Sequence, residues 1–228
     1  MIISIEGNIG SGKSTFVNIL KRWYNEVGRF NESNPKIVFV DEPVKEWETI
    51  RDEEGETMLE KFYKDKQQYS FAFQMMAYIT RLNLLKKAVR ENPPDTIIIT
   101  ERCNFTDKEV FAKMLYDDKM ISSVEYQIYT RWFTEFLDEI KISGYIYIQS
   151  SPDISYNRVI KRSRKGETIP LEYLDRCNTY HNNWLHSEDN EESILTFNAN
   201  IDKKYTLEDY NDWITNTLKY ITKLSKSM

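Results

Sequence analysis

The stretch IISIEGNIGSGKSTFVNILKRW, Ile2 to Trp23, decides the fold. The apolar run Ile2-Ile3-Ser4-Ile5 ends just before Gly7, and Phe16, Val17, Ile19, Leu20 and Trp23 follow at helical spacing. A strand therefore runs into a helix through Gly7-Asn8-Ile9-Gly10-Ser11-Gly12-Lys13-Ser14, which fits the pattern G-x-x-x-x-G-K-[ST]. Glycines let backbone N–H groups converge on an anion, Lys13 reaches the β- and γ-phosphates, and the Ser14 hydroxyl suits Mg²⁺. Thr15 and Phe16 open the helix, whose N-terminus adds partial positive charge at the same point. With these flanks, a tight turn that binds nothing is a poor alternative. The stretch predicts a site for ATP or GTP and leaves open where the γ-phosphoryl group goes.

Composition narrows the class. The 228 residues carry 31 Lys and Arg against 36 Asp and Glu, for a net charge of −5. That balance argues against a polymeric nucleic-acid partner, which leaves a basic footprint. A chain of this length with 40% hydrophobic residues can bury a substantial core, and one domain over 1–228 is expected. No apolar run approaches the roughly eighteen residues of a membrane span. The first residues read as a core strand, so no signal or transit peptide is expected. Cys103 and Cys177 form no metal spacing and no disulfide framework, which predicts two reduced thiols in a cytoplasmic setting.

Four further strands are predicted at Lys36–Val40, Thr96–Thr100, Tyr145–Gln149 and Ile194–Phe197, separated by helical patterns. The fold class that follows is α/β, a five-stranded parallel sheet surrounded by helices. Phe71, Met75, Tyr78, Ile79, Leu82, Leu85 and Val89 make one apolar stripe and predict a long helix over about Lys64–Arg90, stopped by Pro93 and Pro94. Helices are also expected at Val124–Ile140, Ser151–Arg164, Leu171–Leu185 and Thr206–Leu224.

Ligands of open parallel sheets sit at the carboxyl ends of strands, so the residues there are the candidates. Asp41-Glu42-Pro43-Val44, with Trp47 soon after, offers either a base near the phosphate loop or a solvated acidic turn. In Glu101-Arg102-Cys103, Arg102 suits a phosphoryl group in transit and Glu101 suits Mg²⁺; a surface ion pair is the plain alternative. Gln74 and Arg81 share one face of the long helix, where they either read a base edge, with Asp107, or form a wet helix flank. Lys161-Arg162-Ser163-Arg164-Lys165-Gly166-Glu167 is either a solvated helix end or a mobile lid, over about 160–170, that brings arginines onto a nucleotide.

The order of GNIGSGKST, DEPVKEW, YSFAFQMMAYITR, ERCNFTD and KRSRKGETIPLEYL closely resembles the deoxyribonucleoside kinases, and within them the deoxycytidine/deoxyguanosine kinase branch. The likeness runs from Ile2 to about Leu185. It implies the P-loop nucleoside and nucleotide kinase fold with a short basic lid, ATP as donor, Mg²⁺, a deoxynucleoside as acceptor, and a homodimer. It also implies roles. Glu42 resembles the base that takes the proton of the 5′-hydroxyl, with Arg102 steadying it, Lys13 on the phosphates, and Ser14 and Glu101 near Mg²⁺. Gln74 corresponds to the residue that pairs with the base. Val44, Trp47, Phe73, Arg81, Asp107 and Phe111 correspond to the surrounding pocket, and Tyr63 and Glu167 to the partners of the 3′-hydroxyl. Arg158, Arg162 and Arg164 correspond to donor-phosphate contacts, and Asn200 to Lys203, Asp202 included, to the place of the donor adenine. Cys103 stands where the family usually has serine, and Lys108-Glu109 where arginine and an aromatic are common.

The branch accepts deoxycytidine and purine deoxynucleosides, and the resemblance implies these over thymidine. A thymidylate-type kinase would need extra cations for its phosphorylated acceptor, whereas Glu42 would repel a phosphate. A non-catalytic relative would be expected to lack Lys13, Glu42, Arg102, Arg162 or Arg164, and all five are present.

Overall fold

The computed structural model describes residues 1–228 apart from 32–33, 138–139, 165–166, 188–189, 191–192, 202–205 and 228. Five strands, β1 (Ile2–Glu6), β2 (Ile37–Val40), β3 (Ile97–Glu101), β4 (Gly144–Gln149) and β5 (Ile194–Asn198), form one sheet in the order β2-β3-β1-β4-β5. Every pairing is parallel, so each connection must cross over the sheet, and helices cover both faces. The order reverses at β1, and the phosphate loop emerges from its carboxyl end. This is the expected α/β fold.

The strand periodicity sorts two cores. Ile3, Ile5, Ile97, Ile99, Ile146 and Ile148 face α1 (Lys13–Glu26) and the C-terminal helix, whose Trp213, Ile214 and Ile221 complete that layer. Ile2, Val40 and Ile98 face the opposite way, onto Tyr78, Leu82, Leu85, Tyr129 and Phe133.

Between β2 and β3 run α2 (Val44–Trp47), α3 (Met58–Lys64) and the 26-residue α4 (Lys66–Glu91). α4 is the long helix expected over about Lys64–Arg90, and it starts just after Asp65, which separates it from α3. There the backbone leaves helical geometry and the side chain accepts from Gln68 N at 3.1 Å, capping α4. The stripe expected on α4 is corrected. Ile79 and Val89 are exposed, while Ser70, Phe73, Gln74, Ala77, Thr80 and Arg81 are buried on a second face. That face lines a cavity, which is why its polar residues are inside.

After β3 the chain forms α5 (Asn104–Thr106), a π-wound turn over Asp107–Ala112, and α6 (Lys113–Asp117), followed by α7 (Ser123–Leu137). After β4 come α8 (Pro152–Arg162) and α9 (Leu171–Leu185). The final helix α10 is Asn211–Ser227, starting later than Thr206; ahead of it Asp209 N donates to Thr206 Oγ1 at 3.1 Å in a local turn. Both cysteines are free and buried.

His181 on α9 is wholly buried, with Nδ1 2.7 Å from Cys177 O and no partner for Nε2 among the described residues. Burial, reinforced by Arg102, pushes its pKa down to about 3, so the folded chain stays unprotonated there while the unfolded chain binds a proton below about 6.5. Its stabilising contribution is therefore present above about pH 6.5 and is lost as pH falls. Urea denaturation of His181→Gln should show a fall in stability between pH 6.5 and 5.0 smaller than that of the parent by about 2 kcal/mol. An equal fall in the two proteins would contradict this assignment.

Candidate active site

The loop after β1 takes its shape from residues that tolerate left-handed backbone. Gly7, Gly10 and Gly12 have φ of 144°, 81° and 103°. A Cβ on Gly7 would stand 2.5 Å from Ile148 O, so the close passage of the loop over β4 excludes a side chain there. Asn8 is buried and fastens the loop to α9: its Nδ2 donates to Leu174 O at 2.8 Å and its Oδ1 accepts from Ile9 N at 2.8 Å. Arg158 Nη1 donates to Ser11 O at 3.2 Å and Nη2 to Ala199 O at 2.9 Å, tying α8 to the loop and to the end of β5.

Lys13 is buried and donates to Asn8 O at 2.7 Å. Burial, helped by the Arg102 charge, lowers its pKa to about 7 against the pull of Glu101, Glu42 and Glu6. A phosphate against this ammonium would favour the charged form. Ser14 Oγ donates to Glu101 Oε1 at 2.6 Å, so two hard oxygen ligands stand together beside the loop.

The ends of β2 and β3 bring a set of buried charges together. Arg102 Nη1 donates to Glu42 Oε1 at 2.8 Å, and Arg81 Nη2 donates to the same oxygen at 3.1 Å. Arg81 also holds Asp107 with two nitrogens, at 3.0 and 3.3 Å, and its Nη1 donates to Glu101 O at 3.0 Å. Burial would raise the Glu42 carboxyl, but Arg102, Arg81 and Lys13 together hold it well below the usual carboxylate range. Burial also raises Asp107, to about 6 even with Arg81 beside it. Arg102 keeps its charge because Glu42 offsets the burial, and its guanidinium lies 5.0 Å over the Phe111 ring.

A cavity of about 720 Å³ joins these groups. Its phosphate end is lined by Ile9, Gly10, Gly12, Lys13, Ser14 and Thr15, and its middle by Glu42, Arg102, Glu101 and Arg81. Its far end is formed by Val44, Trp47, Tyr63, Phe73, Gln74, Asp107 and Phe111. Trp47 is fixed by Nε1 donating to Thr80 Oγ1 at 2.8 Å, and its ring meets Phe73 edge-on at 5.6 Å between centroids. Gln74 is buried there, and its Oε1 has no partner among the described residues. That orphan acceptor suits a ligand donor, since a buried amide oxygen left unpaired is costly. Arg158 from α8, and Arg162, Arg164 and Glu167 at and beyond its end, line the same cavity. Glu167 takes Arg162 Nη2 at 2.7 and 2.5 Å and lies 4.0 Å from Arg164 Nη1.

Most of the expected site residues therefore meet around one cavity. Gly7, Asn8 and Ser11 shape the loop from behind and do not line the cavity, nor do Asn200 and Ile201, and Asp202 and Lys203 lie outside the described residues. Leu59, Phe62, Asn157 and Tyr173 line it without having been singled out from sequence, and Lys161 of the basic segment lines it as well. The signal for the first two was present: Thr57 and Glu60 form a capping box that starts α3, with Glu60 N to Thr57 Oγ1 at 3.2 Å and Thr57 N to Glu60 Oε2 at 2.8 Å.

The sequence model of the family described as deoxynucleoside kinase matches residues 3–222. The chain belongs to the deoxynucleoside kinase family. Among curated relatives it is 40% identical over 194 residues to the "Probable deoxycytidine kinase" of Fowlpox virus (strain NVSL), covering 83% of this chain and 73% of that protein. It is 32% identical over 193 residues to deoxycytidine kinase of Homo sapiens, covering 80% and 74%. To the mitochondrial deoxyguanosine kinase of Xenopus laevis it is 29% identical over 210 residues, covering 84% and 76%. As a deoxynucleoside kinase the chain is a phosphotransferase that uses ATP and serves nucleotide salvage. Among the described residues no helix is long and apolar enough to cross a membrane.

Proposed function

We propose that the acceptor deoxynucleoside lies along the far half of the cavity with its 5′-hydroxyl against Glu42, and that deoxycytidine, deoxyadenosine and deoxyguanosine are better acceptors than thymidine. The observation that carries this reading is the single Glu42 oxygen held by both Arg102 and Arg81 at the junction of the phosphate loop and the aromatic end of the cavity. Glu42 accepts the 5′-proton, while Arg102 and Lys13 oppose charge growing on the transferred group. The two guanidiniums make Glu42 a weak base, which suits a loose transfer that needs orientation more than proton affinity.

On the donor side, Lys13 leaves Asn8 O for the phosphates, and Arg162 and Arg164 exchange Glu167 for them. Glu167, released, and Tyr63 take the sugar 3′-hydroxyl. Arg158 adds to the donor contacts, and Asn200 and Ile201 border the donor base. Ser14 and Glu101 would hold Mg²⁺, which supplies charge neutralisation between the outer phosphates; their hard oxygens fit such an ion.

Base selection follows from hydrogen-bond polarity. Gln74 pairs with the base edge, and Asp107, fixed by Arg81, accepts from the amino group of cytosine or adenine. Thymine presents a carbonyl and a methyl group in that place, so it meets an acceptor with an acceptor. Guanine also carries a carbonyl there, so its place among the acceptors rests on the relative named as a deoxyguanosine kinase and not on this contact. Ala77 leaves room for a larger ring. The relatives named as deoxycytidine and deoxyguanosine kinases support the same choice.

We infer one catalytic unit over 1–228 with its lid at about 160–170, working in a reducing, cytoplasmic compartment, as two free buried cysteines suit. We also infer a homodimer through α7. Val124, Ile128, Trp132 and Phe136 recur every four residues on that helix, and all four are exposed. An apolar stripe of this kind marks a contact surface. Trp132→Glu should convert the dimer to a monomer in light scattering; a parent protein that is already monomeric contradicts the inference.

Two assays test the chemistry. Glu42→Gln should lower kcat roughly a hundredfold or more while deoxynucleoside binding persists, and near-normal turnover would remove Glu42 from the mechanism. In a competition panel with ATP, thymidine should show the lowest kcat/KM of the four deoxynucleosides. Thymidine in first place would contradict the assignment of Gln74, Arg81 and Asp107.

A further inference from the structure

β1 ends on a carboxyl group with an unusual set of partners. Glu6 is wholly buried, as is Ser4, on the sheet face opposite Ile3 and Ile5. Among the described residues no cationic side chain pairs with it. Three hydrogens converge on it instead: Ser4 Oγ donates to Oε1 at 2.5 Å, Thr106 Oγ1 lies 2.7 Å from both oxygens, and Cys103 Sγ donates to Oε1 at 3.4 Å. Burying a carboxyl group is costly unless donors replace water. These three donors tie β1 to the segment that follows Arg102.

The tie has a direction. Thr106 Oγ1 accepts from Cys103 N at 3.2 Å, so its one proton is left for Glu6. Cys103 is therefore gripped through its N–H and its thiol. Immediately before it, Arg102 has φ 61°, the left-handed region that a side chain with a Cβ disfavours. Such a conformation persists only where its surroundings over-determine it. Here Thr100 Oγ1 donates to Arg102 O at 2.8 Å and Arg102 N donates to Ile5 O at 3.0 Å, which fixes the near side of the turn. Glu6, through Cys103 and Thr106, fixes the far side.

We propose that Glu6 is a positioning residue for phosphoryl transfer: by gathering the Thr106 and Cys103 hydrogens it holds the left-handed turn at Arg102, and so aims the Arg102 guanidinium at Glu42. The inference rests on reading Arg102 and Glu42 as the acceptor-side pair. A glutamine at position 6 keeps the shape but brings N–H donors to a place where three donors already converge. The turn then relaxes, and Arg102 loses its aim while the nucleoside pocket stays intact.

The test is steady-state kinetics of the full chain with deoxycytidine and ATP, for E6Q, T106V, T106S, R102K and the double variants E6Q/R102K and T106V/R102K. E6Q and T106V should lower kcat by roughly tenfold to a hundredfold, the range expected when a catalytic group is displaced by less than about an ångström. KM for deoxycytidine should stay within about twofold, because a kcat loss at constant KM marks an interaction absent from the ground state. T106S, which keeps the hydroxyl, should restore turnover. R102K should be impaired, since lysine lacks the guanidinium fork. On that background E6Q and T106V should cost little more, because residues acting through one group are not additive. Full kcat in E6Q and T106V with an impaired R102K overturns the inference alone, as do losses that multiply on R102K or a T106S as slow as T106V. Full kcat in R102K overturns the acceptor-pair reading, and the inference with it. Should E6Q fail to fold, the Thr106 variants decide the matter by the same comparisons.

Discussion

Glu42 is a carboxylate taken out of water and set between two guanidinium groups, and much of the molecule serves to keep it there. Breaking such a buried pair by removing one partner typically costs about 3–5 kcal/mol. The arrangement therefore needs fixed suppliers. Arg81 comes from the middle of α4, where only a helix buried on two faces places an arginine inside. Arg102 comes from the carboxyl end of β3, on a left-handed residue clamped from both sides. Glu42 itself follows β2. The parallel register of β2 with β3, and of β3 with β1, brings all three to the mouth of the phosphate loop. On the proposed reading, geometry is what the cluster contributes to the reaction.

The groups proposed to meet a donor are paired with the protein itself. Lys13 is held by Asn8 O, Ser14 by Glu101, Arg162 by Glu167, and Arg158 by two backbone carbonyls. Donor binding on the proposed reading is thus an exchange of partners. On that reading the Arg162–Glu167 exchange would couple the two substrates, since Glu167 would give up the arginine as it takes the sugar. Such coupling gives the enzyme a reason to close only when both substrates are present.

The sheet was legible because its strands read as short apolar runs between helical patterns, and the inner three, as in Ile97–Glu101, are buried on both faces. The phosphate loop was legible because its glycines and lysine are dictated by one local geometry. Periodicity located α4 but not its second buried face, where Gln74, Thr80 and Arg81 break the apolar pattern: a helix facing a cavity looks polar on that face. The pairing of Arg81 with Glu42 and Asp107 lay beyond sequence spacing, since 39 and 26 positions separate the partners. Resemblance supplied the residues of the site, whereas their charge states follow only from burial. Glu6 was passed over because an acid inside a strand has no local signature; its meaning comes from Thr106, 100 positions away.

The central claim is that an alcohol oxygen is delivered to the carboxylate between the two arginines. A crystal structure with bound deoxycytidine tests it directly. The account predicts the 5′-oxygen within about 2.6–3.2 Å of a Glu42 carboxylate oxygen, on the side facing the phosphate loop. A deoxycytidine bound with its 5′-oxygen turned away from Glu42 and toward solvent would contradict it.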